Sequence, residues 1–384
     1  MKTIAYVIPA FPVLSETFIV NEMEAMSQLG HKVVPCTFER CSVATMQPLQ
    51  QQWLPQVQLL SEISRFSALL TAISLPQRRA GWRFINAQKS WSRRSLWLAA
   101  MKLARVVKQQ RCNHIHAHFA QHSAAVAIVA AKFCGVSVSF VGHGADIYQA
   151  PYDLELKLRS VDLAIGVCRK MVQQFQAQPS CNAALVPCGI DAKQFALGQG
   201  GHNQRLLFVG RLVEKKGVDL LLQALAQLPP LQRPGLDVVG DGPLLKALQQ
   251  QAQQLQLDVY FLGSRDQRWL QRCGPRYLAL VAPYRIAANG DRDTGPLVCK
   301  EAMALGLPVI ASDLMGLAEI VQKSCGYSVA VEDSSGIASA ISKLQQLPNW
   351  QRRRLGLNGR RRVERLYTVQ TQAQRLSQLV EALA

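Results

Sequence analysis

Two runs of short apolar strands alternating with helices constrain this chain more than any other feature. Residues 3–8, Thr-Ile-Ala-Tyr-Val-Ile, are apolar on both faces, as in a parallel strand covered by helices on each side. A helix over about 16–29, closed by Gly30, and a second strand over 32–38 follow. Residues 42–62 are Gln- and Pro-rich and read as irregular, and 63–110 as helical. Strands recur at 115–119, 138–143, 162–167 and 184–187. The strip Gly198-Gln199-Gly200-Gly201-His202-Asn203 suits an interdomain linker. Beyond it, strands at 206–209, 236–239, 259–262, 277–282, 309–311 and 327–329 repeat the pattern, and an amphipathic helix over 369–383 ends it. The repetition predicts an α/β protein of two Rossmann-like, doubly wound parallel-sheet domains over 1–195 and 196–365. Residues 366–384 form a C-terminal helix expected to pack back on the first domain. At 384 residues each domain can bury its own core. Loops at the carboxyl ends of the two sheets would face each other across a cleft, a natural ligand site.

Several classes fall away. The opening residues resemble a signal peptide, but Pro9, Pro12 and Glu16 interrupt them, so they read as a strand. The longest uncharged apolar run, near 124–131, is far short of the ~20 residues of a membrane span. Ten cysteines without a C-x-x-C pair suggest neither zinc nor a disulfide framework, and a reducing cytoplasm fits best.

Chemistry-bearing residues concentrate over 291–306, Asp-Arg-Asp-Thr-Gly-Pro-Leu-Val-Cys-Lys-Glu-Ala-Met-Ala-Leu-Gly. Thr294 or Gly295 can cap a helix, with Pro296 in its first position and Gly306 at its end. The backbone N–H groups of Leu297 and Val298 then point from a helix start that favours a phosphate. Glu301 lies roughly 6–8 Å along the axis, within reach of the ribose of a bound nucleoside diphosphate. Asp293, before the cap, is placed to accept hydrogen bonds from a sugar. A second motif, Gly210-Arg211-Leu212-Val213-Glu214-Lys215-Lys216-Gly217, follows a strand and opens a helix. Arg211 and Lys216 there can stabilise a departing diphosphate. A third, Gly240-Asp241-Gly242-Pro243, permits close backbone approach at Gly240 and Gly242.

In the first domain, His143 stands between two glycines at a strand end, ahead of Asp146, and is expected to be exposed to the cleft. His114, His116 and His118 share one face of a strand with no further ligand evident, so they read as structural, not as a metal set. Asp291-Arg292-Asp293 spells a D-x-D that could hold Mg²⁺ or Mn²⁺ with a diphosphate. With Arg211 and Lys216 available, no metal or other cofactor is expected.

These motifs resemble those of the retaining glycosyltransferase family 4, over nearly the whole chain. The family's E-x7-E pair falls on Asp293 and Glu301, its G-R-x(4)-K-G loop on 210–217 and its G-x-G-P turn on 240–243. Its strand-end histidine falls on His143, and its early Ser-Glu-Thr-Phe on Ser15, Glu16, Thr17 and Phe18. The resemblance implies a GT-B fold and transfer of a hexose-type sugar, with retention, from a nucleoside-diphosphate sugar to a glycan or lipid-linked acceptor. Cell-surface polysaccharide or glycolipid synthesis is the implied setting. By the same resemblance Arg211 and Lys216 hold the diphosphate, Glu301 the ribose and Asp293 the sugar, and His143 lies beside the reacting centre. Ser15, Glu16 and Asp146 are expected on the acceptor side. The family usually has Glu where this chain has Asp293, so a weak or inactive sugar-nucleotide-binding protein is the alternative.

Lys and Arg outnumber Asp and Glu by 43 to 25, a net charge of +18 that points to an anionic partner. Residues 63–145 carry twelve Lys and Arg and no acid, with Trp82, Phe84, Trp91 and Trp97 interleaved. Such helices suit an anionic membrane surface, which would make the protein peripheral on the inner face of the cytoplasmic membrane, or else form a solvated basic face. No nucleic-acid module is present. The first strand lacks the G-x-G-x-x-G of a dinucleotide oxidoreductase.

Overall fold

The computed structural model describes residues 1–13, 16–42, 46–73, 75–76, 78–198 and 204–383. The chain forms two compact units, Met1–Pro187 with Val369–Ala384, and Cys188–Thr368. The change of unit thus falls between Pro187 and Cys188, ahead of the Gly-rich strip. Residues 199–203 of that strip lie outside the described residues.

The first unit is built on seven parallel strands: β1 Thr3–Phe11, β2 Lys32–Arg40, β3 Gln58–Leu59, β4 His114–His118, β5 Ser137–Gly142, β6 Leu163–Gly166 and β7 Ala183–Leu185. Their spatial order is β3-β2-β1-β4-β5-β6-β7. Ile4, Ala5, Tyr6 and Val7 of β1 are fully buried, as an apolar strand sandwiched between helices must be. The segment read as irregular holds the helix Pro48–Trp53 and the edge strand β3, paired with β2. Gln50 and Trp53 are buried there, which the polar composition concealed. The C-terminal helix Val369–Glu381 packs against the helix Thr17–Gln28.

The second unit has six parallel strands: β8 Leu206–Val209, β9 Leu236–Val239, β10 Val259–Gly263, β11 Ala279–Ala282, β12 Val309–Ser312 and β13 Gly326–Val329. Their order is β10-β9-β8-β11-β12-β13. Strand order reverses between β8 and β11, so the crossovers leave in opposite directions and open a crevice at the carboxyl ends of those strands. The helix after β11 begins at Leu297, and extended Pro296 (φ −61°, ψ 130°) occupies the cap position. It starts one residue later than the sequence suggests, because Pro296 is held outside the helical ψ range. Gly306, at φ +77°, follows its end. Among the described residues no helix is long and apolar enough to cross a membrane.

Candidate active site

In the second unit, three motifs far apart in sequence meet at the carboxyl edge of three adjacent strands. Residues 210–217 follow β8, 240–243 follow β9, and the loop that leads to Asp293 and Leu297 follows β11. Two glycines let the first two loops abut. A Cβ on Gly240 would stand 1.9 Å from the carbonyl oxygen of Gly210, and one on Gly242 2.4 Å from that of Leu212. Backbone bonds from Gly210 N to Val239 O (2.9 Å) and Leu212 N to Asp241 O (2.8 Å) fix the contact.

The loops after β8 and β11 are laced by charge. Lys215 pairs with Asp291 at 2.9 Å and Lys216 with Asp293 at 3.0 Å. Glu214 Oε1 accepts the N–H of Ala288, and Arg285 Nε donates to the carbonyl of Glu214. Lys216 also lies 4.0 Å over the ring of Tyr284, a fully buried residue that sequence reasoning did not single out. Burial alone would pull the Lys216 ammonium down, but the Asp293 carboxylate outweighs it and holds the group above the ordinary lysine range. Arg211 is exposed beside this pair in sequence. Both carboxylates of the D-x-D therefore face lysines.

Leu297 and Val298 are the first two residues of the helix Leu297–Ala304, so their N–H groups have no partner inside it. Glu301 is partly buried one turn on, and burial raises its carboxyl above the ordinary range. Its Oε1 accepts a 2.9 Å bond from Gln267, at the start of the helix after β10. No local pattern marked Gln267, which reaches Glu301 only through the fold. The edge thus offers exposed Arg211, part-buried Lys216, helix-start N–H groups with no partner inside the helix, and the carboxylates of Asp293 and Glu301, a set suited to a phosphate flanked by hydroxyl-rich groups.

In the first unit, His143 and Asp146 follow β5 and Glu16 follows β1. Ser15 lies outside the described residues. The ring of His143 is not freely exposed as the sequence suggests. It packs 4.7 Å from Phe18, 4.6 Å from Phe119 and, stacked, 5.8 Å from His118, and burial lowers its pKa to about 3. Asp146 also departs from expectation. It is 1 % exposed, and its carboxylate accepts the N–H groups of Ala120 (2.7 Å) and His143 (2.9 Å). It therefore fastens the loops after β4 and β5 and presents no face to an acceptor. Buried Lys157 completes this anchor by donating to the carbonyls of Ala120 (2.7 Å) and Tyr152. Glu16 is partly exposed, with its pKa raised by burial to about 7.

The strand histidines divide. His114 is satisfied by Ser137 and Ser139 at 2.9 and 2.7 Å. His116 and His118 instead face Glu22 of the helix Thr17–Gln28, at 3.4 and 3.3 Å. The sequence reading found no further group for these rings, and Glu22 is that group.

Comparison with known proteins bears on both units. Residues 15–194 match the family described as Glycosyltransferase Family 4, and residues 203–346 match Glycosyl transferases group 1. WcaL of Escherichia coli strain K12, a glycosyltransferase assigned to colanic acid biosynthesis, is 24% identical over 97% of this chain and 98% of its own. TuaC of Bacillus subtilis strain 168, assigned to teichuronic acid biosynthesis, is 25% identical over 72% of each chain. Among solved structures, Anabaena HepE in complex with UDP superposes with a TM-score of 0.75 at 17% identity, covering 99% of this chain and 100% of its own. Sucrose-phosphate synthase from Thermosynechococcus elongatus gives 0.73 at 20% identity, over 99% and 98%. Two matched halves, each on its own parallel sheet, place this chain among the GT-B glycosyltransferases, and it belongs to glycosyltransferase family 4.

Proposed function

We propose that the chain moves a hexose-type sugar from a nucleoside-diphosphate donor to a glycan or lipid-linked acceptor, with retention, during synthesis of a cell-surface polysaccharide or glycolipid. The observation that carries this reading is the meeting of Arg211, Lys216, Asp293, Glu301 and the helix start at Leu297 on one strand edge. The names of WcaL and TuaC support the polysaccharide setting, and the UDP complex of HepE supports the donor class.

Breaking the anomeric C–O bond puts oxocarbenium character on the sugar and negative charge on the leaving diphosphate. Arg211, Lys216 and the N–H groups of Leu297 and Val298 answer that charge where it develops. Glu301 takes the ribose hydroxyls and Asp293 those of the sugar. The acceptor oxygen bonds to the anomeric carbon on the face the diphosphate leaves, and its proton passes to the departing phosphate. His143 lines the acceptor side, and Asp146 holds its loop.

Turnover of labelled UDP- and GDP-sugars tests the reading, and two cations give it a signature. Arg211→Ala will lower kcat/KM roughly 100-fold with an unchanged Tm, because the residue is exposed and its loss opens no charge pair among the described residues. Lys216→Ala will lower activity and also stability, by about 2–4 kcal/mol, because it strands the Asp293 carboxylate. Wild-type turnover in a folded Arg211→Ala protein would remove the basic loop from the donor site.

The donor side is also expected to need no divalent metal, since lysines already occupy both D-x-D carboxylates. Adding Mg²⁺ or Mn²⁺ in metal-depleted buffer will leave the rate unchanged. A rise of about tenfold or more that Asp291→Asn removes would make the D-x-D a metal site.

A further inference from the structure

Among the described residues, the first unit gathers six buried side-chain atoms that make no hydrogen bond of good geometry, several of them having only one another as polar neighbours: Tyr6 Oη, Glu22 Oε1, His116 Nε2, both ring nitrogens of His118, and His143 Nε2. Native interiors rarely leave even one such atom unanswered, so a cluster of them points to a bound species that answers several at once. Strand alternation puts His116 and His118 on one face of β4, and Glu22 descends on them from the helix Thr17–Gln28. We propose that Glu22, His116 and His118 form a zinc site, with a water or the Tyr6 hydroxyl in the fourth position, separate from the donor chemistry of the second unit.

The geometry supports this directly. Nitrogen and oxygen ligands 2.0–2.2 Å from a tetrahedral zinc stand about 3.3–3.5 Å apart. Glu22 Oε1 stands 3.4 Å from His116 Nε2 and 3.3 Å from His118 Nε2. Charge-assisted hydrogen bonds would be nearer ~2.8 Å. One ligand atom from each residue fits within a 4.8 Å span, all three side chains buried. The outer contacts are those that orient metal ligands. His116 Nδ1 bonds to Ser139 Oγ at 2.7 Å, and Glu22 Oε2 accepts from Gln372 of the C-terminal helix. His118 is held instead by stacking on Tyr6 (6.0 Å) and His143 (5.8 Å). Two imidazoles with one carboxylate select a borderline transition metal over Mg²⁺ or Ca²⁺, which take oxygen ligands. The ion would tie β4 to the helix Thr17–Gln28 and, through Gln372, to the C-terminal helix, and would fix the floor on which His143 rests.

The test uses the full chain, purified without a histidine tag from zinc-replete cells. Elemental analysis is expected to find about one zinc per chain, and none in Glu22→Gln. Stripped protein is expected to gain roughly 5 °C or more in Tm on adding Zn²⁺, with no gain from Mg²⁺. Co²⁺ is expected to produce the visible absorption of a low-coordinate site, lost in Glu22→Gln. Should Glu22→Gln fail to fold, the wild-type protein still decides the matter. Metal well below one equivalent, with no cobalt band and no zinc-dependent Tm gain, would overturn the site.

Discussion

Glu301→Ala is expected to lower kcat/KM by on the order of 10²–10⁴-fold while leaving the fold intact. Glu301 is only partly buried, and its one hydrogen-bonding side-chain partner among the described residues is Gln267. Truncation therefore frees one amide that can turn to water, and no buried charge is stranded. In the proposed complex the carboxylate accepts two ribose hydroxyls. Hydrogen bonds to a charged group contribute about 1.5–3 kcal/mol each, which sets the range given. Glu301→Gln keeps the shape and loses the charge, so it should fall between wild type and Glu301→Ala. Gln267→Ala should cost less than either, because it only releases the carboxylate from one orienting bond. Kinetics and a melting curve on the same preparations check this, and wild-type turnover in folded Glu301→Ala would sink the ribose assignment.

How much of this was legible in the sequence depended on whether a signal was local. Residues 206–209 and 236–239 form strands with the bounds their apolar runs suggest, since each is buried on both faces and closed by a glycine or a charged turn. The three loop motifs of the second unit were legible because loops at strand ends keep their residues contiguous. Strand β3 was not, because two residues of a Gln-rich segment carry no period, and only pairing with β2 makes them a strand. Gln267, Tyr284 and Glu22 escaped for a related reason. Each meets its partner through tertiary packing, from helices or loops tens of residues away. Asp146 was misread because a carboxylate beside a strand-end histidine looks the same in sequence whether it faces a ligand or its own backbone.

Asp293 shows what the structure adds to a motif departure. The sequence marks only a side chain one methylene shorter than the family's usual Glu. Folded, the shorter arm still reaches Lys216 and forms an ion pair of which both members are largely buried. In the proposed complex, donor binding would exchange one anionic partner of Lys216 for another, so the lysine would be charged before the diphosphate arrives and need little reorganisation.

The second large effect concerns the basic helices of the first unit. The protein is expected to sediment with vesicles rich in phosphatidylglycerol, to ignore phosphatidylcholine vesicles, and to be released by salt. The structure sharpens the sequence argument by showing which groups face outward. Phe84 is buried, but Trp82 is 42% exposed. On the helix Arg65–Ile73, Phe66, Leu69 and Leu70 are 70%, 47% and 50% exposed, which a soluble face does not require. Arg65, Arg79, Arg83, Lys89, Arg93 and Arg94 are exposed along the same run of helices. Exposed apolar side chains interspersed in sequence with exposed cations fit the boundary between headgroups and acyl chains, and each cation near an anionic surface contributes about 1 kcal/mol. Charge reversal at Arg93 and Arg94 should therefore weaken vesicle binding on the order of 100-fold or more. Phe66→Ser with Leu70→Ser should weaken it on neutral lipid-diluted vesicles most, where charge contributes least. Both pairs belong to the first unit and the loops proposed for the donor to the second, so hydrolysis of a nucleotide sugar by these variants should match wild type. Screening over ~8 Å at physiological salt accounts for the release. Equal partitioning onto anionic and neutral vesicles, or onto neither, would make the exposed cations a solvated face.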